Sequence, residues 1–263
     1  TNGATLSNEI PKLLQTINVP SGFVGYQTRY FTIQSAADFD SKKKMYGLAW
    51  NFMGQKKIYY SGCSSCATNV LHTEPINLVV LDENLLVKSE NLAGEGGRDL
   101  SMLYNPLVDQ FILVWSQWEE SITSSGSEEY SFEVYQRIFS TLINGAVEFK
   151  TPASLVSKPP NIVNYGSGLP SLSWSKRRNE YLITWTKGIV SPTANSFGAL
   201  GEGDQFYRRV HPKGHFVDRE SKFLMSIPGN ESIVRNNTHR GHFLLGWKSS
   251  SQNYLSTFDI PKD

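Results

Sequence analysis

A tryptophan closes each of four segments that align without a gap, and no other feature of the chain restricts its folding as strongly. The segments span residues 37–50, 102–115, 172–185 and 234–247, and they end on Trp50, Trp115, Trp185 and Trp247. An aromatic residue stands four positions before every one of these tryptophans: Tyr46, Phe111, Tyr181 and Phe243. Three segments carry a further aromatic eleven positions before the Trp, namely Phe39, Tyr104 and Trp174. The stretch entering each Trp is rich in Leu, Ile, Val and aromatic residues. Turn formers such as Asn105-Pro106, Ser175-Lys176 and Asn237-Thr238 precede it, so each segment reads as strand, tight turn, strand. A spacing of about 65 residues between tryptophans leaves room for about four strands per module.

The second half of each module is fainter. Strands are expected at 77–81 and 85–87, at 132–138 and 147–150, and at 205–210 and 215–217, with turns at Asp82-Glu83-Asn84, Asn144-Gly145 and Pro212-Lys213-Gly214. Glycine suits such turns because it accepts positive φ without a steric penalty. Tyr135-Gln136-Arg137 and Tyr207-Arg208-Arg209 are expected at equivalent places on the third strand. After Trp247 the chain has room for one more strand, near 253–258, while 23–33 reads as an unassigned strand ahead of the first module. Closing the last blade with 23–33 would remove two open edges. The expected architecture is therefore all-β: a single four-bladed propeller of four-stranded blades over 23–263, closed by strands from both termini, with 1–22 as an N-terminal arm.

The run Leu103-Tyr104-Asn105-Pro106, then Phe111-Ile112-Leu113-Val114-Trp115, then Tyr135-Gln136-Arg137 and Asn144-Gly145, resembles the degenerate YNP…YLVVW…YxxR…G blade repeats of secreted β-propeller proteins. The resemblance spans residues 36–258 and departs most in the fourth module, where Asn236 replaces the first aromatic and the Pro is absent. It implies a propeller fold and an extracellular habit, and no single chemistry.

Charge excludes little beyond a global attraction to polyanions: 25 Lys and Arg face 24 Asp and Glu, so nucleic acid and anionic membrane are not expected partners. No run of apolar residues is long enough to suggest a transmembrane helix. Asn230-Glu231-Ser232 and Asn236-Asn237-Thr238 fit the N-glycosylation pattern at Asn230 and Asn236. Together with Cys63 and Cys66, they point to a secreted glycoprotein in which that pair forms a local disulfide stiffening its loop. A zinc site built on Cys63, Cys66 and His72 lacks a fourth ligand. Nucleophile elbow, phosphate-cradling loop, dinucleotide fingerprint and complete calcium loop are all missing, so no cofactor or metal site is assigned, and calcium held by scattered loop Asp and Asn stays an open alternative.

Function is expected on one face of the ring. The connections 51–76, 116–131 and 186–204 are long where the others are short, and in an up-and-down propeller they share a face with the links between blades. The residues there that suit ligand contact are Trp118, Arg98, Asp99, Tyr59 and Tyr60. Trp118 has no counterpart in the other modules, so the repeat does not require it, and an open Trp beside acids suits stacking on a sugar ring or gripping a peptide. The leading expectation is thus a lectin-like recognition protein that binds carbohydrate or an extracellular protein, without catalysis. Two alternatives stand beside it. One is a glycoside hydrolase using Asp99, Glu119, Glu120 and Asp204, since that chemistry needs paired carboxylates and Gly97-Arg98-Asp99 is similar to the strand entrance of furanosidase-type five-bladed glycosidases. The other is a structural or interaction protein without a small-molecule site.

Overall fold

The computed structural model describes residues 26–59, 67–122, 128–157, 165–190, 200–227, 231–237, 242–248 and 253–258. These residues form an all-β structure whose strands are all antiparallel. The first sheet contains β1 (Tyr26–Asp40), β2 (Met45–Tyr59), β3 (Ala67–Thr73), β4 (Ile76–Asp82) and β5 (Val87–Gly94), ordered β1-β2-β4-β5 with β3 also on β2. The second contains β6 (Arg98–Asn105), β7 (Gln110–Ile122), β8 (Glu128–Thr141), β9 (Val147–Phe149) and β10 (Ser154–Leu155), with β9 and β10 both on β8. The third runs β11 (Tyr165–Ser175), β12 (Glu180–Val190), β13 (Leu200–Val210) and β14 (Lys222–Ile227) in sequence order. A three-stranded sheet follows, made of β15 (Glu231–Asn237), β16 (His242–Lys248) and β17 (Asn253–Phe258).

The tight turn between the first two strands of a module rests on one local device. Ten residues before Trp50, Trp115 and Trp185 a short polar side chain accepts backbone N–H groups of the turn. Asp40 takes Lys42 and Lys43 at 2.9 and 3.0 Å, Asn105 takes Leu107 at 3.0 Å, and Ser175 takes Arg178 at 3.4 Å. Six residues before the Trp the chain enters the left-handed region, at Lys44, Asp109 and Asn179 with φ of 55°, 58° and 51°. Asp and Asn tolerate that region better than most residues.

The sheets do not close into a ring. They are separate and open, and they stack in chain order with β1 beside β6, β6 beside β11 and β11 beside β15; among the described residues no comparable contact joins the fourth sheet to the first. The expected blade closure fails at a definite point. Gln34-Ser35-Ala36-Ala37 holds neither Pro nor Gly to interrupt a strand, so 26–33 runs straight into the first repeat strand as one β1. It pairs with β2 from Tyr26↔Ile58 to Asp40↔Met45, shifting register once between Tyr30 and Thr32. The strand assigned to the last blade therefore belongs to the first sheet. The single closed propeller, and with it the propeller family that the repeat resembles, does not describe this chain. The expected arm, 1–22, lies outside the described residues.

The long connections are a second correction, because they are largely strand. β2 and β3 pair from Met53↔Thr73 to Tyr59↔Ala67, and β7 and β8 continue to Ile122↔Glu128. β12 and β13 extend likewise to Val190↔Leu200. A two-stranded ribbon satisfies its backbone groups across its own hairpin, so these segments hold extended structure beyond the core.

Candidate functional site

Each sheet has a front face, carrying the repeat Trp and the residues two and four before it, and a back face carrying the residues between. Strand alternation makes this division strict. At the first junction the front of the second sheet (Phe111, Leu113, Trp115, Phe139) buries itself on the back of the first (Ala49, Ile76, Leu78, Ala93). At the second, Tyr181, Ile183 and Trp185 meet Ile112, Val114, Val134 and Ile138. At the third, Phe243 meets Leu182 and Tyr207. Trp115 and Trp185 are 0% and 1% exposed and stack on the cross-strand rings of Tyr135 and Phe206, with centroids 6.0 and 6.4 Å apart.

Two further devices recur at the first two junctions. Arg137 lies with its guanidinium 3.5 Å from the centre of the Phe149 ring and donates to the carbonyls of Leu92 and Ala93 in the first sheet, at 3.4 and 2.9 Å. Arg208 lies 3.5 Å over Phe216 and donates to the carbonyl of Val156 at 3.0 Å. Register makes these two arginines equivalent, since Trp115 opposes Tyr135 whereas Trp185 opposes Phe206. The expected match of Tyr135-Gln136-Arg137 with Tyr207-Arg208-Arg209 is thus displaced by one residue, and Arg209 serves instead in a buried ion cluster with Asp218, 2.8 Å away. The second device is a glycine. A Cβ on Gly145 would come within 2.2 Å of Lys88 Cβ, and one on Gly214 within 2.3 Å of Thr151 Cγ2. Each turn therefore needs glycine for its close approach to the preceding sheet as well as for its φ of 86° or 90°.

Polar side chains reinforce the first junction. Asp40, fully buried, accepts from Thr141 Oγ1 at 2.8 Å, and Lys43 bridges Asp40 and Asp109. Tyr104 donates its hydroxyl to Asp109 at 2.7 Å and its backbone N–H to Asp38 at 2.7 Å. Burial alone would raise the Asp40 carboxyl, but hydrogen bonds from the Lys43 backbone, Tyr104, Thr141 and the Lys43 ammonium outweigh it and hold the pKa below the usual carboxylate value. Burial, with Asp109 and Asp40 nearby, pushes the Tyr104 phenol well above its ordinary range.

The residues singled out for ligand contact fall into three groups. Arg98 and Asp99 are joined to each other at 2.8 Å, Arg98 sits 4.8 Å over the Phe132 ring, and Asp99 has a φ of 54°. The Asp99 carboxylate also accepts from Ser116 Oγ at 3.3 Å and from the Leu169 N–H, across the second junction, at 3.4 Å. It ties sheets together. Asp204, in the third sheet, accepts from Ser226 Oγ at 2.6 Å. By backbone position, Trp118, Glu119 and Glu120 stand on β7 opposite Phe132, Ser131 and Tyr130, and Tyr59 stands on β2 opposite Ala67. Asn236 stands on β15 opposite Phe243. Tyr60, Cys63, Cys66 and Asn230 lie outside the described residues. The sugar-binding expectation rested on a propeller's loop face, and the ribbons found there remove that face. Among the described residues no cluster of His, Cys, Asp and Glu suited to a metal ion occurs.

Sequence reasoning missed the front of the first sheet. Tyr46, Leu48 and Trp50 occupy the positions that Phe111, Leu113 and Trp115 fill in the second sheet, yet they are only half buried. Asn77 opposes Trp50 and Leu92 opposes Asn77, and an open cleft of about 350 Å³ lies between Trp50, Asn77, Val79, Glu90, Asn91 and Leu92. Neither junction device is present here. Val79 stands where register would place the arginine. Leu85, with φ of 63°, stands where Gly145 and Gly214 occur, in a turn closed by the same hydrogen bonds, Leu85 N–H to Asp82 O and Asp82 N–H to Leu86 O. Both substitutions were visible in the sequence once the strands were in register.

No protein-family model and no curated protein matches the chain. Among solved structures, Morganella morganii TcdA4, seen by cryo-electron microscopy, is similar over 73% of this chain with 10% identity and a TM-score of 0.34, and this chain spans only 8% of its length. Kuenenia stuttgartiensis hydrazine synthase is similar over 86% of this chain and 71% of its own, with 10% identity and a TM-score of 0.42. Likeness at this level carries no argument about the fold or the work of this chain.

Proposed function

We propose that this chain is a structural or interaction protein that works through an extended apolar surface and has no small-molecule site. The observation that carries this reading is the front of the first sheet. Half-buried Tyr46, Leu48 and Trp50 adjoin a rim of exposed Leu85, Leu86, Val87 and Leu92, and contiguous apolar surface of this kind marks protein contact. The polar residues best suited to grip a small ligand are engaged within the fold instead, Arg98 with Asp99 and the Phe132 ring and Asp99 with the Leu169 N–H of the third sheet. An extracellular setting belongs to the same proposal and rests on the sequons at Asn230 and Asn236 and on the Cys63 and Cys66 pair. Among the described residues no helix is long and apolar enough to cross a membrane.

Thermal unfolding against a panel of mono- and oligosaccharides, nucleotides and divalent cations tests the reading. A ligand at a hundredfold excess over its Kd stabilises by about 2.7 kcal/mol, which for a chain of this size raises Tm by about 5 °C or more. No member of the panel is expected to do so. A sugar or cation that does would overturn the proposal.

A further inference from the structure

Resting on that reading, we infer that the partner of the first sheet's front face is a second copy of this chain, seated through the back of its fourth sheet. The fold itself shows the manner of contact: at each of its three junctions a front face carrying aromatic residues is covered by the back of the neighbouring sheet. Among the described residues the stack therefore ends in one uncovered face of each kind. The unused front is that of Trp50. On the unused back, Leu255 is 70% exposed and opposes Gly246, one residue before Trp247, while Thr257 opposes Leu244, three residues before it. A small residue at the position before the Trp also stands in the back face that receives the second sheet, where the first sheet offers Ala49.

The contact between copies differs from the internal junctions in one respect. Leu85 replaces the glycine that lets backbone approach backbone, so the second copy meets side chains at that turn, and docking centres on Trp50 and Leu92. Front-to-back contact is heterologous: it either closes into a ring of copies or continues as a chain.

Sedimentation velocity across about 1 to 100 μM tests this. Two variants break one face each at exposed positions, so the fold survives: Val87→Lys with Leu92→Lys at the front, and Leu255→Lys with Thr257→Lys at the back. Circular dichroism and thermal unfolding confirm that each is folded. The wild type is expected to at least double its weight-average mass with concentration, and each variant alone to stay monomeric. Mixing the two is expected to restore association that stops at a one-to-one dimer, because one intact front then meets one intact back. A monomeric wild type, a front variant that still associates, or a mixture that does not pair overturns the inference. If the wild type is monomeric and the ligand panel shifts no Tm, only this inference falls; if a small molecule shifts Tm, the interaction reading falls as well.

Discussion

Trp115 and Trp50 occupy the same place in the repeat, and the two residues live in different surroundings. Trp115 is fully buried between sheets, under Gly94 and Gly97, where an added Cβ would come within 2.9 and 2.4 Å of its ring. Trp50 is half exposed beside an open cleft. Because the local sequence is alike, the difference comes from the neighbour: Trp115 has a preceding sheet to pack on and Trp50, among the described residues, has none. An aromatic repeat thus supplies the capacity for a junction, and the companion arginine and glycine reinforce the first two of the three junctions made within the chain.

The largest expected effect separates the two tryptophans by stability. Trp115→Ala removes a closely packed ring and should cost about 3–5 kcal/mol in urea unfolding, whereas Trp50→Ala should cost about 1–2 kcal/mol, in proportion to the apolar area it leaves uncovered. Equal losses would break the comparison. Next comes the arginine tie: Arg137→Met leaves the Leu92 and Ala93 carbonyls without their charged donor and should cost about 1.5–3 kcal/mol. Hydrogen exchange would locate the loosening at β5 and the second sheet. The turn glycines then give a test of sign. Gly145→Ala meets Lys88 and a positive φ and should destabilise by about 1–3 kcal/mol, while Leu85→Gly, at the same turn position but exposed, relieves its backbone and should be neutral or stabilising by less than about 1 kcal/mol.

Acid provides a smaller lever on the same contrast. Both Asp40 and Asp218 are pushed upward by burial, but stronger hydrogen bonding and ion pairing with Lys43 and with Arg209 and Lys222 leave each pKa lowered on folding. A carboxyl with a depressed folded pKa contributes stability above its unfolded value, about 3.9, and that contribution is lost as pH falls through the folded value. Stability should therefore decline below about pH 4, and Asp40→Asn should flatten that decline. Acrylamide quenching of tryptophan fluorescence should rise in step as the first junction loosens.

Much of this fold was legible before any strand was placed. Aromatic residues four before each Trp predicted the hairpins, and Phe111 and Tyr181 are fully buried between sheets. Closure was not legible. Whether 23–33 joins the last sheet or continues the first depends on whether Gln34–Ala37 bends, and those residues permit a straight strand without requiring one. The displaced match of Tyr135 with Tyr207 has a similar cause: cross-strand register is set by pairing, and a shift of one residue moves every side chain to the other face. That shift concealed the equivalence of Arg137 and Arg208, and with it the meaning of Val79. Asp99 was singled out for ligand contact and as one carboxylate of the hydrolase alternative. Its carboxylate, however, bonds Ser116 and the Leu169 backbone, a use that no spacing along the chain reveals.

The central claim, that the stack is open at its first sheet, is tested most directly by hydroxyl-radical footprinting of the wild type read residue by residue. At the lowest protein concentration Trp50 and Leu92 should be oxidised much faster than Trp115 and Trp185, and their rates should fall as concentration rises. Trp50 protected as fully as Trp115 in the dilute monomer would contradict the account, because the front of the first sheet would then be covered by the chain's own residues.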